Sequence, residues 1–286
     1  MYRKLEKNIL RHASIGRAIF LAAASACAAA GAAPLSATMV NLVQVTGANG
    51  SPGIAAQSAT ANAQQNNPNN TAIAVGGSGG IFASSVSTSG YAGASATANA
   101  TSTTNATSPN DANSIAVATG GAGGYETIVS QTGQSENVYG TGGAATATGT
   151  AGNYVAGGNA TTMLTAIGGN AGNAGSPQAG SAGTPALGGF ASATGQAWAT
   201  GNGTATIIGI VKNGNDSAGT LVDPRTMFIP TASIVAESGT GTANASLTVT
   251  GGNAPSPSSF SGQTISATNA VEGTSALSAQ NVRIWK

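Results

Sequence analysis

The stretch from Ser58 to Gly80 reads SATANAQQNNPNNTAIAVGGSGG, and the stretch from Ser95 to Gly124 reads SATANATSTTNATSPNDANSIAVATGGAGG. Both contain an alternating Ala/Thr/Asn run, a polar loop, a short Ile/Val run and a glycine cluster. The second copy differs mainly by a longer loop. A unit that recurs along a chain is typical of stacked repeat architectures, so this repeat predicts the fold class before any single motif does.

The alternation inside the unit has the period of a β-strand. Ala59, Ala61 and Ala63 alternate with Thr60 and Asn62. Because successive side chains of a strand point to opposite faces, alanine occupies one face and Thr/Asn the other. We therefore expect strands backed by alanine, with a polar face turned outward.

The Ile/Val runs and the glycine clusters set the spacing of the repeat. Ile73 and Val75 share one face of a strand, with alanines behind them, and Ile115 and Val117 repeat this arrangement. The glycine clusters after such runs recur at intervals of 44 and 48 residues. We expect about three strands per unit, joined at corners where glycine supplies a positive φ. The interior should be thin and filled by Ala, Val and Ile.

The predicted fold is all-β, a β-solenoid or stacked β-sheet with Gly-rich corners and a distinct C-terminal β segment. The expected division is a signal peptide over 1–32, a β-repeat region over 33–167, a Gly/Pro-rich low-complexity linker over 168–189 and a C-terminal β region over 190–286. Large apolar side chains concentrate within 205–236. We expect a hairpin or cap there, because the edge of a β stack needs an atypical ending.

The N-terminus has the pattern of a secretory signal peptide. Basic residues precede an apolar, Ala-rich stretch that starts at Ala18, and Ala30-Gly31-Ala32 is the best cleavage candidate, with Leu35-Ser36-Ala37 as the second. The stretch falls short of the roughly 20 apolar residues of a spanning helix. A lipoprotein processed at Cys27 is the alternative. The sequence therefore predicts a secreted protein, extracellular or at the cell surface, without a transmembrane segment in the mature chain.

Loss of this leader would remove most of the reactive side chains. His12 and Cys27, the sole histidine and cysteine, lie within it, which excludes thiol, disulfide, Cys/His zinc and histidine-base chemistry from the mature chain. Four basic and seven acidic side chains remain, a net charge of about −3 without the basic patch of a nucleic-acid binder. The seven acidic residues are scattered along the sequence, which favours isolated charges on the surface over a paired catalytic site. They are Asp111, Glu126, Glu136, Asp216, Asp223, Glu237 and Glu272.

We accordingly predict no enzyme activity, no catalytic, cofactor-binding or metal-binding residues, and no cofactor. The SATANA runs and GGxGG corners resemble those of secreted, low-charge bacterial β-repeat proteins of the adhesin, surface-layer and functional-amyloid kinds, over roughly 53–175. Curli-type repeats differ, because they carry regularly spaced Gln and Asn. The resemblance implies self-association or attachment and no active site.

The expected function is that of a structural protein that self-assembles by β-strand stacking into extracellular fibres, matrix or an adhesive surface coating. Its partners would be further copies of itself and a cell-surface or glycan component, and the C-terminal tail would add as a strand to a neighbour. A binding module whose Thr/Asn ladders recognise glycan or ice is the first alternative. A polysaccharide-processing β-helix, which needs convergent acids, is the second. The tail comprises Val282, Arg283, Ile284, Trp285 and Lys286.

Overall fold

The computed structural model describes residues 40–51, 54–64, 68–82, 92–104, 111–129, 135–172, 186–217, 230–252 and 264–279. These residues form fourteen strands and no helix, which confirms the all-β prediction. The predicted leader, its cleavage sites and the C-terminal tail lie outside them. The strands are β1 (Val40–Thr46), β2 (Ala59–Gln64), β3 (Asn69–Val75), β4 (Ile81–Phe82), β5 (Ala96–Thr104), β6 (Ala112–Thr119), β7 (Tyr125–Val129), β8 (Ser135–Tyr139), β9 (Ala145–Asn153), β10 (Ala160–Ile167), β11 (Ala191–Ala199), β12 (Ala205–Lys212), β13 (Thr231–Thr250) and β14 (Thr264–Ala279).

The main strands form a solenoid with two strands in each turn. Strands β2, β5, β9, β11 and residues 231–238 of β13 pair in parallel, and we name this layer the threonine sheet. Strands β1, β3, β6, β10, β12 and residues 243–250 of β13 form a second parallel layer, the aliphatic sheet. The chain alternates between the two layers. The solenoid prediction is confirmed, with two long strands per turn in place of the three expected.

Strand β13 joins the two layers, because its first half belongs to the threonine sheet and its second half to the aliphatic sheet. With β14 the layers therefore make one eleven-stranded sheet, folded back on itself. The short strands β4, β7 and β8 form a separate three-stranded sheet at the glycine-rich corners.

Alanine fills most of the space between the layers. Ala61, Ala98 and Ala147 of the threonine sheet and Ala72 and Ala116 of the aliphatic sheet have no exposed surface. The alternating pattern of the sequence is thus confirmed, with alanine inward. Val and Ile were also expected inside, but in β3 and β6 they point outward, and large buried aliphatic residues occur in the later turns. These are Leu164, Ile207, Val211, Ile234, Leu247 and Val249.

The layers lie so close that short side chains reach across to the opposite backbone. The Ser114 hydroxyl in β6 donates to the carbonyl oxygen of Ala100 in β5 at 2.8 Å. The Thr162 hydroxyl in β10 donates to the carbonyl oxygen of Gln196 in β11, also at 2.8 Å. These bonds pair buried hydroxyl groups that would otherwise be costly in an apolar interior. They also fix the separation of the layers at the length of an alanine or serine side chain.

Where a larger side chain enters this space, glycine stands opposite. Leu164 of β10 projects towards Gly149 of β9 and Gly195 of β11. A methyl group at position 149 would lie 2.7 Å from Leu164 Cδ2, and one at position 195 would lie 2.6 Å from Cδ1. Carbon atoms in proteins do not approach so closely, so Leu164 would have to shift if either position carried a methyl group. The close packing of the interior is therefore matched residue by residue across the layers.

A chain of backbone hydrogen bonds, which we name the glycine ladder, closes one edge of the solenoid. It runs alternately through segments that leave the aliphatic sheet and segments that enter the threonine sheet. Each N–H donates to the carbonyl of the preceding member over 2.7–3.0 Å. The ladder thus satisfies backbone groups at the corners, where buried unpaired groups would be costly. Its members in order are Gln57, Gly77, Ala94, Gly121, Gly143, Gly169, Gly189 and Gly214.

The ladder glycines are required by close approach and not by a positive φ. A Cβ atom at Gly121 would overlap the carbonyl oxygen of Gly77, and one at Gly169 would overlap that of Gly121. Among the described residues, positive φ occurs at Gly157 (84°) and Gly201 (63°), in tight turns at the opposite edge. The prediction of glycine corners is confirmed, but its conformational reason was wrong for the clusters.

The end of the stack is closed by β14 and not by the segment 205–236. Strand β12 lies inside the aliphatic sheet between β10 and β13, so the expected hairpin or cap is absent from the described part of that segment. Strand β14 pairs antiparallel with both halves of β13 and crosses a register shift between Glu237 and Thr242. The large apolar residues of β12 instead extend the repeat, since Ile207 and Val211 point inward and Ile208 and Ile210 outward.

Candidate functional site: the outer faces of the two sheets

The outward side chains of the threonine sheet form a periodic polar array. Parallel, unshifted pairing brings equivalent residues of successive turns into rows across the strands. Neighbouring side chains lie about 4.8 Å apart within a row, and rows lie about 6.7 Å apart along the strands. The three rows are Thr60, Thr97, Thr146, Ser192, Thr231; Asn62, Asn99, Thr148, Thr194, Ser233; and Gln64, Thr101, Thr150, Gln196, Val235. We name these fifteen positions the threonine face.

Side-chain hydrogen bonds align members of the rows with one another. The Asn99 amide Nδ2 donates to Asn62 Oδ1 at 2.8 Å, and the Ser192 hydroxyl donates to Thr146 Oγ1 at 3.1 Å. Threonine, which is β-branched, is also restricted at χ1, so its hydroxyl and methyl groups hold their directions. No Lys, Arg, Asp or Glu belongs to the fifteen positions. The threonine face is therefore neutral, regular and largely preorganised.

Three rows of outward side chains across β1, β3, β6, β10 and β12 form a more apolar surface, which we name the aliphatic face. The outward residues of the same sheet beyond these rows are polar, namely Asn69, Asn113, Thr161 and Thr206, and Asn244, Ser246, Thr248 and Thr250 of β13. Leu42, Met163 and Ile210 are 49%, 43% and 45% exposed. The same register that orders the threonine face groups them with partly exposed Ile and Val side chains. The rows across β1, β3, β6, β10 and β12 are Leu42, Thr71, Ile115, Met163, Ile208; Gln44, Ile73, Val117, Thr165, Ile210; and Thr46, Val75, Thr119, Ile167, Lys212.

The sequence pattern predicted that Ile73, Val75, Ile115 and Val117 share one face, and the structure confirms this. Met163, Ile208 and Ile210 extend the same surface, which the sequence pattern did not predict. They could have been found from the spacing of equivalent strands, because Ala112 aligns with Ala160 and Ala160 with Ala205, at intervals of 48 and 45 residues. Variable loops between the strands conceal those intervals in the sequence.

An aromatic pair marks one corner of the threonine sheet. The ring centroids of Trp198 and Tyr154 lie 5.9 Å apart at an interplanar angle of 68°, an edge-to-face contact. A Cβ atom at Gly152 would overlap the indole ring, so Trp198 lies over the glycine of the neighbouring strand. Tyr154 is 56% exposed. This packing agrees with a corner role for these aromatics, which lie outside the three rows of the threonine face.

Three acidic side chains, Asp111, Asp216 and Glu237, belong to the part of the chain whose side chains the structure describes. Asp111 and Glu237 are exposed, and Asp216 is half-buried beside the glycine ladder. No group of three or more His, Cys, Asp or Glu residues able to hold a metal ion occurs among the residues described. Glu126, Glu136 and Glu272 lie on β7, β8 and β14, and Asp223 falls outside the described ranges.

Asp216 combines burial with a backbone hydrogen bond. Burial raises the pKa of its carboxyl group, and the Gly188 N–H, which donates to Oδ1 at 2.8 Å, opposes that rise. The net pKa is raised. A carboxyl group that is protonated more easily in the folded state favours folding at low pH, and this contribution is lost as the pH rises through the folded-state pKa.

We therefore expect Asp216→Asn to raise the thermal midpoint at neutral pH and to reduce its rise upon acidification. The amide removes the buried charge and retains an oxygen acceptor for Gly188 N–H. Thermal unfolding followed by circular dichroism between acidic and neutral pH measures both effects. Asp111→Asn is the matched control, because Asp111 is exposed and its Oδ1 also accepts a backbone hydrogen bond, from Asn159 at 3.0 Å. Identical pH profiles for Asp216→Asn and the wild type would contradict the expectation.

The fold is a two-sheet β-solenoid that bears the polar threonine face on one layer and the more apolar aliphatic face on the other. No protein-family model, curated protein or solved structure matches the chain. The described residues include no helix with the length and apolar character to cross a membrane. The two outer faces are therefore the features from which a function can be argued.

Proposed function

We propose that this chain is a secreted, non-enzymatic structural protein that self-assembles through its β-strands into extracellular fibres, matrix or a surface coating. The aliphatic face carries the proposal. It is an open sheet surface with exposed Leu42, Met163 and Ile210 and only Lys212 charged among its fifteen positions. Extended apolar patches on a protein surface mark association sites.

A second copy of the chain is the occupant that best fits this surface. Five strands of seven or eight residues span about 25 Å by about 25 Å, so two faces in contact would bury on the order of 1,200 Å². That area lies at the lower limit of stable protein interfaces. The surface carries no charge apart from Lys212 at its margin, so an identical face offers apolar area with little charge repulsion. Two sheets packed in this way resemble the layers of a β-sandwich.

The open end of the solenoid supplies a second contact. Strands β1 and β2 each have one neighbour in the described sheets, and a further chain would pair with their outer edges. The opposite end carries β14 across both layers. Face-to-face contacts alone close into dimers, whereas a second, different contact at the edges joins dimers into a continuing assembly. A fibre or matrix is the product of the two contacts together.

The test is electron microscopy and light scattering of the chain that starts at Ala33, with circular dichroism to monitor the β fold. We expect the wild type to form β-rich assemblies. Met163→Lys/Ile210→Lys should raise the concentration needed for assembly at least about 100-fold, because two ammonium groups would be buried in the contact. Thr148→Lys/Thr194→Lys places the same charges on the opposite face and should leave assembly within about twofold, since exposed substitutions away from an interface have small effects.

Two results would overturn the proposal. One is a wild-type protein that stays a soluble β-rich monomer at all concentrations tested. The other is unchanged assembly of Met163→Lys/Ile210→Lys with a native dichroism spectrum. Lys212 lies two residues after Ile210 on the same outward face of β12, so a lysine on this face is compatible with the fold.

A further inference from the structure

The threonine face has properties that self-assembly through the aliphatic face does not use. It lies on the other side of the solenoid, in the layer formed by β2, β5, β9, β11 and the first half of β13. Its fifteen positions comprise eight threonines, two serines, two asparagines, two glutamines and one valine. Such a set combines hydrogen-bonding groups with methyl groups at regular intervals.

We propose that the threonine face binds the surface of ice crystals. Its two repeats, about 4.8 Å across the strands and about 6.7 Å along them, are similar to the oxygen repeats of a prism face of hexagonal ice. A periodic surface of hydroxyl and methyl groups holds adjoining waters at lattice-like positions, and those waters join the crystal. Because each Thr side chain is already restricted in rotation, little conformational entropy is lost on binding.

The regular spacing of the threonine face arises from the register between strands and not from one continuous stretch of sequence. Strand β9 contains the run Thr146, Thr148 and Thr150, and its partners on both sides align without a shift. Thr97 and Thr101 stand on one side of this run, and Ser192 and Thr194 stand on the other. The alanine interior keeps the layer thin, and the glycine ladder holds successive turns at a constant separation. The fold therefore provides the repeated surface that contact with a crystal requires.

Other ligand classes fit this face less well. Soluble small molecules bind in concave sites, and the fifteen positions lie on one sheet layer. A nucleic acid would need basic side chains, and these positions carry none. A crystalline polysaccharide is also periodic, but sugar rings favour aromatic platforms. Trp198 lies in the next row of the same outer face, over Gly152, and the fifteen positions themselves contain no aromatic side chain.

The experiment measures thermal hysteresis and inhibition of ice recrystallisation by the chain starting at Ala33. Thr148→Lys changes the centre of the threonine face, and Thr165→Lys is the matched control, an outward threonine in the middle row of the aliphatic face. We expect activity from the wild type, a loss of at least about tenfold for Thr148→Lys and a change within about twofold for Thr165→Lys, because disruption at the centre of a contact is the most damaging.

Failure of this inference is distinguishable from failure of the proposed assembly. The variant Met163→Lys/Ile210→Lys should keep ice activity after losing assembly, because the changed residues lie on the other layer. Absence of ice activity in the folded wild type would overturn the inference, as would equal losses for Thr148→Lys and Thr165→Lys. Retention on microcrystalline cellulose or chitin without ice activity would assign the face to polysaccharide instead and would also overturn it.

Discussion

Gly169→Ala is expected to destabilise the solenoid by at least about 4 kcal/mol or to prevent folding, because the added Cβ atom would overlap a backbone carbonyl. The atoms it meets are the carbonyl oxygen of Gly121 and its carbon, which belong to the preceding turn. A flexible side chain can rotate away from such a clash, but a carbonyl within a hydrogen-bonded ladder cannot. Gly169 N–H also donates to Gly143 O at 2.9 Å, and Gly169 O accepts from Gly189 N–H at 2.7 Å.

Separation of the turns at Gly169 would therefore break the ladder on both sides. Chemical denaturation followed by circular dichroism measures the loss in free energy of unfolding. Gly209→Ala is the matched control, since its Cβ atom would meet the end of the Leu247 side chain, Cδ1, at 2.9 Å, and that group can move. We expect Gly209→Ala to lower the free energy of unfolding by no more than about 3 kcal/mol, the upper end of the range for overpacked interiors. Equal stabilities for Gly169→Ala and the wild type would refute the close-approach explanation.

Asn153→Ala is expected to lower the free energy of unfolding by about 3 kcal/mol, because the buried Thr104 hydroxyl and two partly buried backbone groups would lose their partner. The Asn153 side chain has no exposed surface. Its Oδ1 accepts from the Thr104 hydroxyl at 2.7 Å and from Val155 N–H at 3.0 Å, and its Nδ2 donates to Asn159 O at 2.8 Å. These bonds tie β5 to the end of β9 and shape the turn into β10.

The same denaturation measurement tests this prediction. Asn62→Ala is the control, because Asn62 lies on the exposed threonine face and loses one solvent-accessible amide bond with Asn99. Its effect should stay within about 0.5 kcal/mol, as for other exposed substitutions. If Asn153→Ala lowered the free energy of unfolding no more than Asn62→Ala does, the turn would not depend on the buried amide.

The alternating runs were predictable because the period of two is a local property of the chain. Ala59, Ala61 and Ala63 point inward as the sequence indicated, and the pattern recurs from Ala96 onward. The glycine corners were predictable in position. Their physical reason was not, because the carbonyl that excludes a Cβ atom at Gly121 belongs to Gly77, in another turn of the solenoid.

The candidate surfaces were only partly predictable, because loop lengths vary between turns. The register relates Thr60 to Thr97, Thr97 to Thr146 and Thr146 to Ser192, at intervals of 37, 49 and 46 residues. No fixed sequence period connects these residues. The sequence alone therefore showed fragments such as Thr146-Ala147-Thr148, whereas the array they form depends on pairing between turns.

An all-β repeat with alanine on one strand face, glycine at the corners and few charged or reactive side chains could be deduced from the sequence. These properties follow from residue types and from the two-residue period. Pairing between distant segments is what puts two strands in each turn, places Leu164 against Gly149 and Gly195, and brings β14 to the end of the stack. The same pairing collects the threonines on one layer and most of the exposed aliphatic residues on the other. The physical reason is that register and close approach are relations between distant segments, set by backbone pairing and interior volume.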